Sequence, residues 1–293
     1  KVYTIALSGE ADHTLLRQLS AATDGWSEEA DNADKLQRIF LHLLEKATNP
    51  DTLPLAGNRV QVDNSIEEVT FLVFRDSQAK PTELVDPHQQ RFGMANAPKQ
   101  VRWHRDTGYD LITITKPQPG EWHILGPEDA DNRVMVVTNL KLRTTQLPNN
   151  LSVEDAPYYF VQLIQGGEVI RRKEFLDLVK VTLRQRQQGG DQWEWRLLDD
   201  GKGADTAAGD GTFSQKLSES MKVGRYELSL LVDGTTFQRE QRQVINIHSL
   251  PAQATVTADP NARGRYVLSL IPYAGMIEPD GMEVTALVKG SQG

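Results

Sequence analysis

Short runs of alternating apolar and polar residues, separated by turn-forming residues, fill the chain from about residue 51 to about residue 250. Residues 110–115 and 158–164 are examples. Gly120 and the pair Gly166–Gly167 allow tight turns after such runs. Because side chains in a strand alternate between two faces, each run predicts a strand with one buried face. The pattern predicts a mainly β fold of tandem antiparallel β-sandwich domains, immunoglobulin/fibronectin III-like.

Changes in this pattern divide the chain into four predicted parts. Residues 1–50 form a small α/β segment, and residues 51–145 form a first β-sandwich. Residues 146–250 form a second, fibronectin III/immunoglobulin-like sandwich, and residues 251–293 begin a third β domain. The runs behind this division are 59–63, 68–75, 101–103, 110–115, 121–125, 132–138, 158–164, 168–170, 179–183, 193–197, 226–232, 242–248, 254–257, 265–270 and 283–288.

The first part combines one predicted strand with two predicted helices. Residues 2–8 are almost continuously apolar, which is typical of a strand buried in a parallel sheet. Asp12 is placed to cap the first helix, and Asp31 or Asn32 to cap the second. One strand and two one-sided helices cannot enclose a core. We therefore expect residues 1–48 either to dock on a sandwich or to form a homodimer.

Residues 5–7, 11–19 and 22–25 resemble the last third of a von Willebrand factor A domain. Together with the sandwiches and the motifs at 199–201 and 209–213, the layout also resembles bacterial membrane-anchored A-domain proteins and the calcium-activated chloride channel regulator family. The resemblance implies a non-enzymatic adhesion, protein-binding or spacer module of an exported bacterial protein. It implies a protein ligand, a periplasmic or cell-surface location, and membrane anchoring outside this chain. The A-domain metal motif Asp-x-Ser-x-Ser and the animal family's His-Glu-x-x-His are absent.

Residues 197–213 hold four aspartates and four glycines between β-like flanks. Asp199, Asp200, Asp205 and Asp210 offer hard oxygen ligands, which calcium prefers. Their spacing does not match an EF-hand loop. Two interpretations remain open: the four carboxylates bind calcium, or they cap backbone N–H groups in a series of tight turns.

Composition narrows the remaining function classes. The chain has 40 acidic residues against 32 Lys and Arg, a net charge of −8, which argues against a nucleic-acid partner because phosphate binding needs clustered basic residues. The absence of cysteine excludes disulfide scaffolds, cysteine zinc sites and thiol catalysis within this sequence.

A carbohydrate-active or carbohydrate-binding protein is the alternative hypothesis. Trp193 and Trp195 lie on one face of a predicted strand, where they could form either part of the core or a platform for a sugar. Adjacent carboxylates such as Glu67 and Glu68 point to opposite faces of a strand, unlike the facing pair of a glycosidase. No complete catalytic set is visible, so we expect that the chain is not an enzyme.

Overall fold

The computed structural model describes residues 1–48, 50–76, 79–187, 190–217, 222–259, 264–277 and 283–285. Within these ranges the α-helices are α1 (His13–Ala21), α2 (Ala33–Thr48) and α3 (Lys173–Leu176), and Met94–Asn96 form a 3-10 helix. The strands, in chain order, are β1 (Thr4–Ala6), β2 (Ser27–Glu29), β3 (Thr52–Leu53), β4 (Arg59–Val62), β5 (Ile66–Phe74), β6 (Glu83–Val85), β7 (Arg91–Gly93), β8 (Val101–Arg105), β9 (Tyr109–Thr115), β10 (Gly120–Leu125), β11 (Arg133–Thr138), β12 (Leu140–Thr144), β13 (Asn150–Ser152), β14 (Tyr158–Gln165), β15 (Glu168–Val169), β16 (Lys180–Gln187), β17 (Gln192–Leu197), β18 (Thr212–Lys216), β19 (Gly224–Asp233), β20 (Gln238–His248), β21 (Ala252–Ala258) and β22 (Tyr266–Pro272).

The N-terminal segment is a β1-α1-β2-α2 unit, and residues that the sequence predicts as caps begin both helices. The Asp12 carboxylate accepts the N–H of Leu15 at 2.9 Å, and the Asn32 side chain accepts that of Lys35 at 2.8 Å, so Asn32 rather than Asp31 caps α2. Strands β1 and β2 pair in parallel. The predicted strand 2–8 is shorter than expected, and Leu7 is exposed, because β1 has β2 as its one described neighbour.

Two sandwiches follow, and each has its own apolar core. In the first, the sheet β4-β10-β6-β7 packs on strands β3, β11, β5, β9 and β8. Its core includes Phe71, Ile112 and Trp122, which all lie on period-two strands. In the second, strands β12, β14, β15 and β18 pack on β17, β16, β19 and β20. Alternate residues of β19 from Tyr226 to Val232 enter that core, as the pattern predicts.

A single ten-stranded sheet runs through both sandwiches in the order β17-β16-β19-β20-β3-β11-β5-β9-β8, with β13 added on β20. The joint is β3, a strand of only two residues. Thr52 of β3 pairs with Glu240 of β20 on one side and with Met135 of β11 on the other. The Thr52 hydroxyl also donates to the Glu240 carbonyl oxygen at 2.7 Å. The two sandwiches are therefore joined by backbone hydrogen bonds as well as by the connecting chain.

A buried arginine reinforces this joint. Arg239 is 0% exposed, and its guanidinium donates to the Asp63 carboxylate at 2.6 Å and to the Ser65 hydroxyl at 2.7 Å. It also reaches the Thr138 hydroxyl at 3.0 Å and the Leu140 carbonyl oxygen at 3.2 Å. Burial alone would raise the pKa of Asp63, but the hydrogen bonds from Arg239 and Ser65 outweigh burial and lower it.

The N-terminal segment docks on both sandwiches. On the first, Arg38 of α2 donates to Asp129 at 2.8 Å and to Asp131 at 2.6 Å. Leu41 packs with Leu72 and Phe74 on the outer face of β5. On the second sandwich the Asp24 carboxylate accepts the backbone N–H of Asn149 at 2.9 Å, and Arg225 pairs with Glu28 at 2.6 Å. The segment therefore contacts both sandwiches.

The C-terminal part contains the hairpin β21–β22, an antiparallel pair with exposed apolar side chains such as Val256 and Tyr266. The predicted strand 283–288 is wrong for residues 283–285, which are not in a strand, and its remainder lies outside the described residues. The division of the chain at residues 50, 145 and 250 stays a prediction. No helix in the described ranges has the length and apolar character needed to cross a membrane.

Candidate metal-binding loop

The aspartate–glycine loop connects β17, an edge strand of the ten-stranded sheet, to β18 of the facing four-stranded sheet. It therefore closes one end of the second sandwich. A bridge between Leu198 and Ser214 fixes its base, where the Ser214 N–H donates to the Leu198 carbonyl oxygen at 3.1 Å.

Asp199 organises the second half of the loop. One carboxylate oxygen accepts the backbone N–H groups of Gly209 at 2.7 Å and Asp210 at 3.2 Å, and the other accepts that of Gly211 at 2.9 Å. Gly211 has a φ of +86°, and a Cβ there would overlap the carbonyl oxygen of Ile170. The loop conformation at this position therefore requires glycine.

Asp205 organises the first half of the loop from a buried position, with 5% of its surface exposed. Its carboxylate accepts the N–H of Gly201 at 2.6 Å and that of Ala207 at 3.4 Å. Asp210 accepts the N–H of Thr212 at 2.8 Å. The carboxylates of these aspartates therefore cap backbone N–H groups of the loop, as the turn-capping interpretation expects.

The same three aspartates also converge. Asp199, Asp205 and Asp210 each place a carboxylate oxygen within 4.8 Å of the others. Asp200, the fourth predicted ligand, is outside this group, and its carboxylate instead accepts the Lys202 N–H at 3.0 Å. Three hard oxygen donors at this spacing suit a calcium ion, which would neutralise carboxylates that otherwise repel one another.

The tryptophan pair that could have formed a sugar platform is turned inward. Trp193 and Trp195 are half-buried and pack against the core of the second sandwich. Trp193 meets the Tyr226 ring edge-on, with the ring centroids 5.9 Å apart.

Sequence reasoning missed a second feature, a groove of about 1010 Å³ beside the joint between the sandwiches. Its floor is formed by outward-facing residues of β16, β19 and β20, and its wall by residues 54–61 and 128–132. In the sequence, most of these residues are ordinary polar or turn residues of strands and loops. Only the pairing of β3 with β20 brings them to one place, so no local sequence pattern indicated the groove.

Comparison with known proteins shows an immunoglobulin-like domain in the second sandwich. Residues 159–247 match the second Ig-like domain of conditioned medium factor. The match covers less than a third of the chain and does not reach residues 1–50. No curated protein sequence matches the chain significantly.

Solved structures with partial likeness include the propeptide form of the lipase BlEst2 from Bacillus licheniformis, with 12% identity and a TM-score of 0.28 over 75% of this chain and 42% of the lipase. A titin fragment, A168169, gives 6% identity and a TM-score of 0.21 over 68% of this chain and 99% of the fragment. The β-glucuronidase of Parabacteroides merdae gives 10% identity and a TM-score of 0.25 over 72% of this chain and 29% of the enzyme. This chain therefore spans less than half the length of either enzyme. Likeness at these TM-scores carries neither enzyme's activity to this chain.

Proposed function

We propose that this chain is a non-enzymatic binding and spacing module of an exported, membrane-anchored bacterial protein, located in the periplasm or at the cell surface. The observation that carries the proposal is the ten-stranded sheet that joins both sandwiches through β3. A continuous sheet with a buried ion pair at its joint resists bending, which is what a spacer needs. The Ig-like match supports a binding or spacer role for the second sandwich.

The N-terminal unit supports a further part of this proposal. Its β1-α1-β2-α2 order with parallel strands is compatible with the end of a von Willebrand factor A-like domain. Arg38 and Asp24 fix this unit to both sandwiches, so a force applied to the unit would be transmitted to the two joined sandwiches. Leu15, Leu19 and Phe40 remain exposed on it, and the proposal includes a homodimer through residues 1–48.

Rigidity can be measured by single-molecule fluorescence transfer. The sequence has no cysteine, so dyes can be attached at Lys99→Cys on the first sandwich and Glu174→Cys on the second without side reactions. We expect one narrow population of transfer efficiency that persists until the chain unfolds. The reference for width is Glu154→Cys with Glu174→Cys, both in the second sandwich.

Two results would overturn the proposal. A population clearly broader than this reference would show that the sandwiches move independently. Hydrolysis of p-nitrophenyl glycosides or esters by the purified chain, above the rate in buffer, would favour the carbohydrate-active alternative. The adjacent residues Glu67 and Glu68 give that alternative little support, because their carboxylates bind Asn139 and Arg102 respectively.

The proposal also assigns calcium to Asp199, Asp205 and Asp210. We expect about 1 mM calcium to raise Tm by roughly 5 °C or more relative to EDTA, since a ligand at a hundredfold excess over Kd adds about 2.7 kcal/mol. Calorimetry would measure the shift in the wild type and in the Asp205→Asn, Asp210→Asn double variant. Asparagine keeps an acceptor oxygen for the turns but removes the charge.

The matched control for this experiment is Asp200→Asn, which lies in the same loop but outside the converging group. It should keep the full calcium shift, whereas the double variant should lose it. An equal shift in all three proteins, or none in the wild type, would leave the aspartates with turn capping alone.

A further inference from the structure

The groove beside the joint has the size and the fixed walls of a ligand site. Its volume, about 1010 Å³, is at the upper end of the usual range for binding clefts, which occur preferentially between domains. One wall belongs to the first sandwich and the floor to the second. Because β3 and Arg239 hold these two parts together, the groove is preorganised, and a ligand would not need to order it.

The lining combines polar and apolar surface, and its charged residues carry an excess of negative charge. Among the described residues that line the groove, seven are acidic and four are basic, and none is aromatic. Most of the basic side chains are already occupied. Arg59 pairs with Glu121 at 2.5 Å, and Arg184 pairs with Glu194 at 2.7 Å.

Two carboxylates in the groove keep unused acceptor capacity. Glu227 on the floor forms ion pairs at 4.0 Å with both Arg186 and Arg242, but this distance is too long for a hydrogen bond, so its oxygens can still accept one. Glu128 on the wall is exposed at the same groove. By contrast, Asp129 and Asp131 are already bound by Arg38. Glu128 and Glu227 are therefore the described acidic residues of the groove that accept no hydrogen bond from a cation, and Arg186 and Arg242 partly balance the charge of Glu227.

We propose that this groove receives a cationic, Lys- or Arg-rich segment of a protein partner. This deepens the proposed function by naming the chemistry of the ligand and the surface that meets it. Charge complementarity supports a cation, since Lys or Arg would fill the acceptors at Glu128 and Glu227. The lack of an aromatic platform in the lining makes a sugar a poor fit.

Hexalysine is the probe for this proposal, with binding to the full chain measured by isothermal titration at low salt. Glu128→Gln with Glu227→Gln should weaken binding by about fivefold or more. The control, Glu154→Gln with Glu174→Gln, removes the same charge from exposed positions outside the groove and should weaken binding less than twofold. Arg186→Gln, which removes a competing cation from the groove, should tighten it.

Equal weakening in the groove and control variants would mean that hexalysine responds only to net charge, and the proposal would be wrong. Absence of hexalysine binding, or tighter binding of hexaglutamate, would overturn it as well. These outcomes leave the spacer proposal intact if the distribution of fluorescence transfer efficiency between the two sandwiches stays narrow. A broad population or hydrolytic turnover would instead remove the proposed function itself.

Discussion

Replacing Arg239 by alanine is expected to lower the free energy of unfolding by about 3–5 kcal/mol, because the change leaves the carboxylate of Asp63 buried without its cation. The hydroxyls of Ser65 and Thr138 also lose a donor. Since this cluster joins the two sandwiches, we further expect the variant to unfold in two steps and the wild type in one. Urea unfolding at neutral pH, followed by tryptophan fluorescence and by circular dichroism, measures both effects.

Arg59→Ala is the matched control for this prediction. Arg59 also pairs with a carboxylate, that of Glu121, but both side chains are more than half exposed. Its loss should change stability by no more than about 1 kcal/mol. The double variant Arg239→Met, Asp63→Leu should recover much of the lost stability, since apolar residues can replace a buried ion pair. If Arg239→Ala behaves like Arg59→Ala, the joint does not depend on this cluster.

Many strands of both cores were predictable from sequence because their side chains alternate, whereas β6, β7, β12 and β18, which also supply core residues, were not predicted. In β9 and β19 every second residue is buried, and period two is a local signal. The joint gave no such signal. Strand β3 has two residues, and its partner Glu240 is 188 positions away. A pairing so short and so distant leaves no periodic trace in the chain.

The first residues of β20, which pair with β3, were also not predictable from the sequence pattern. The sequence predicted this strand from residue 242, whereas it begins at Gln238. Residues 238–241 are all polar, so pattern alone places them in solvent. Arg239, Glu240 and Gln241 are nevertheless buried, because β3 and the first sandwich cover them. Their burial therefore depends on contacts with distant parts of the chain, which the local sequence pattern does not show.

The candidate loop was predictable in kind but not in detail. Its aspartates and glycines indicated turns and oxygen ligands. Which carboxylates converge depends on the left-handed backbone at Gly201, Gly203, Gly209 and Gly211. That path turns Asp200 towards Lys202 and brings Asp199, Asp205 and Asp210 together. Spacing along the chain does not contain this information.

Acid is expected to destabilise the chain steeply below about pH 4, through four carboxylates whose pKa values are lowered in the folded state. Burial opposes the shifts of Asp63 and Asp110, but hydrogen bonds outweigh it, from Arg239 for Asp63 and from Arg105 and Trp103 for Asp110. The pKa of Asp129 falls because Arg38 donates to it, and that of Asp131 because His42 and Arg38 do.

The sign follows from proton uptake. Near their ordinary pKa of 3.8 these groups bind protons in the unfolded chain before they do so in the folded one, so falling pH favours unfolding. The stabilisation is complete above that range and is lost as the pH falls through the folded pKa values. Burial lowers the pKa of His248 below 6.5, which adds a smaller loss at mildly acidic pH. Burial raises the pKa of Asp51, which acts in the opposite direction.

The number of protons taken up on unfolding tests this account directly. It is the slope of the unfolding free energy against pH divided by 2.303RT, from urea titrations between about pH 7 and pH 2.5. Below pH 4 the number of protons should be positive, with Asp63, Asp110, Asp129 and Asp131 contributing to the uptake and Asp51 opposing it. In Asp129→Asn, Asp131→Asn it should be smaller than in the wild type, because the two carboxylates that Arg38 binds no longer titrate. Glu154→Gln, at an exposed position, should leave the slope unchanged. If the double variant had the wild-type slope, Arg38 would not be paired with Asp129 and Asp131 in solution. These charges would then not hold the N-terminal segment on the first sandwich.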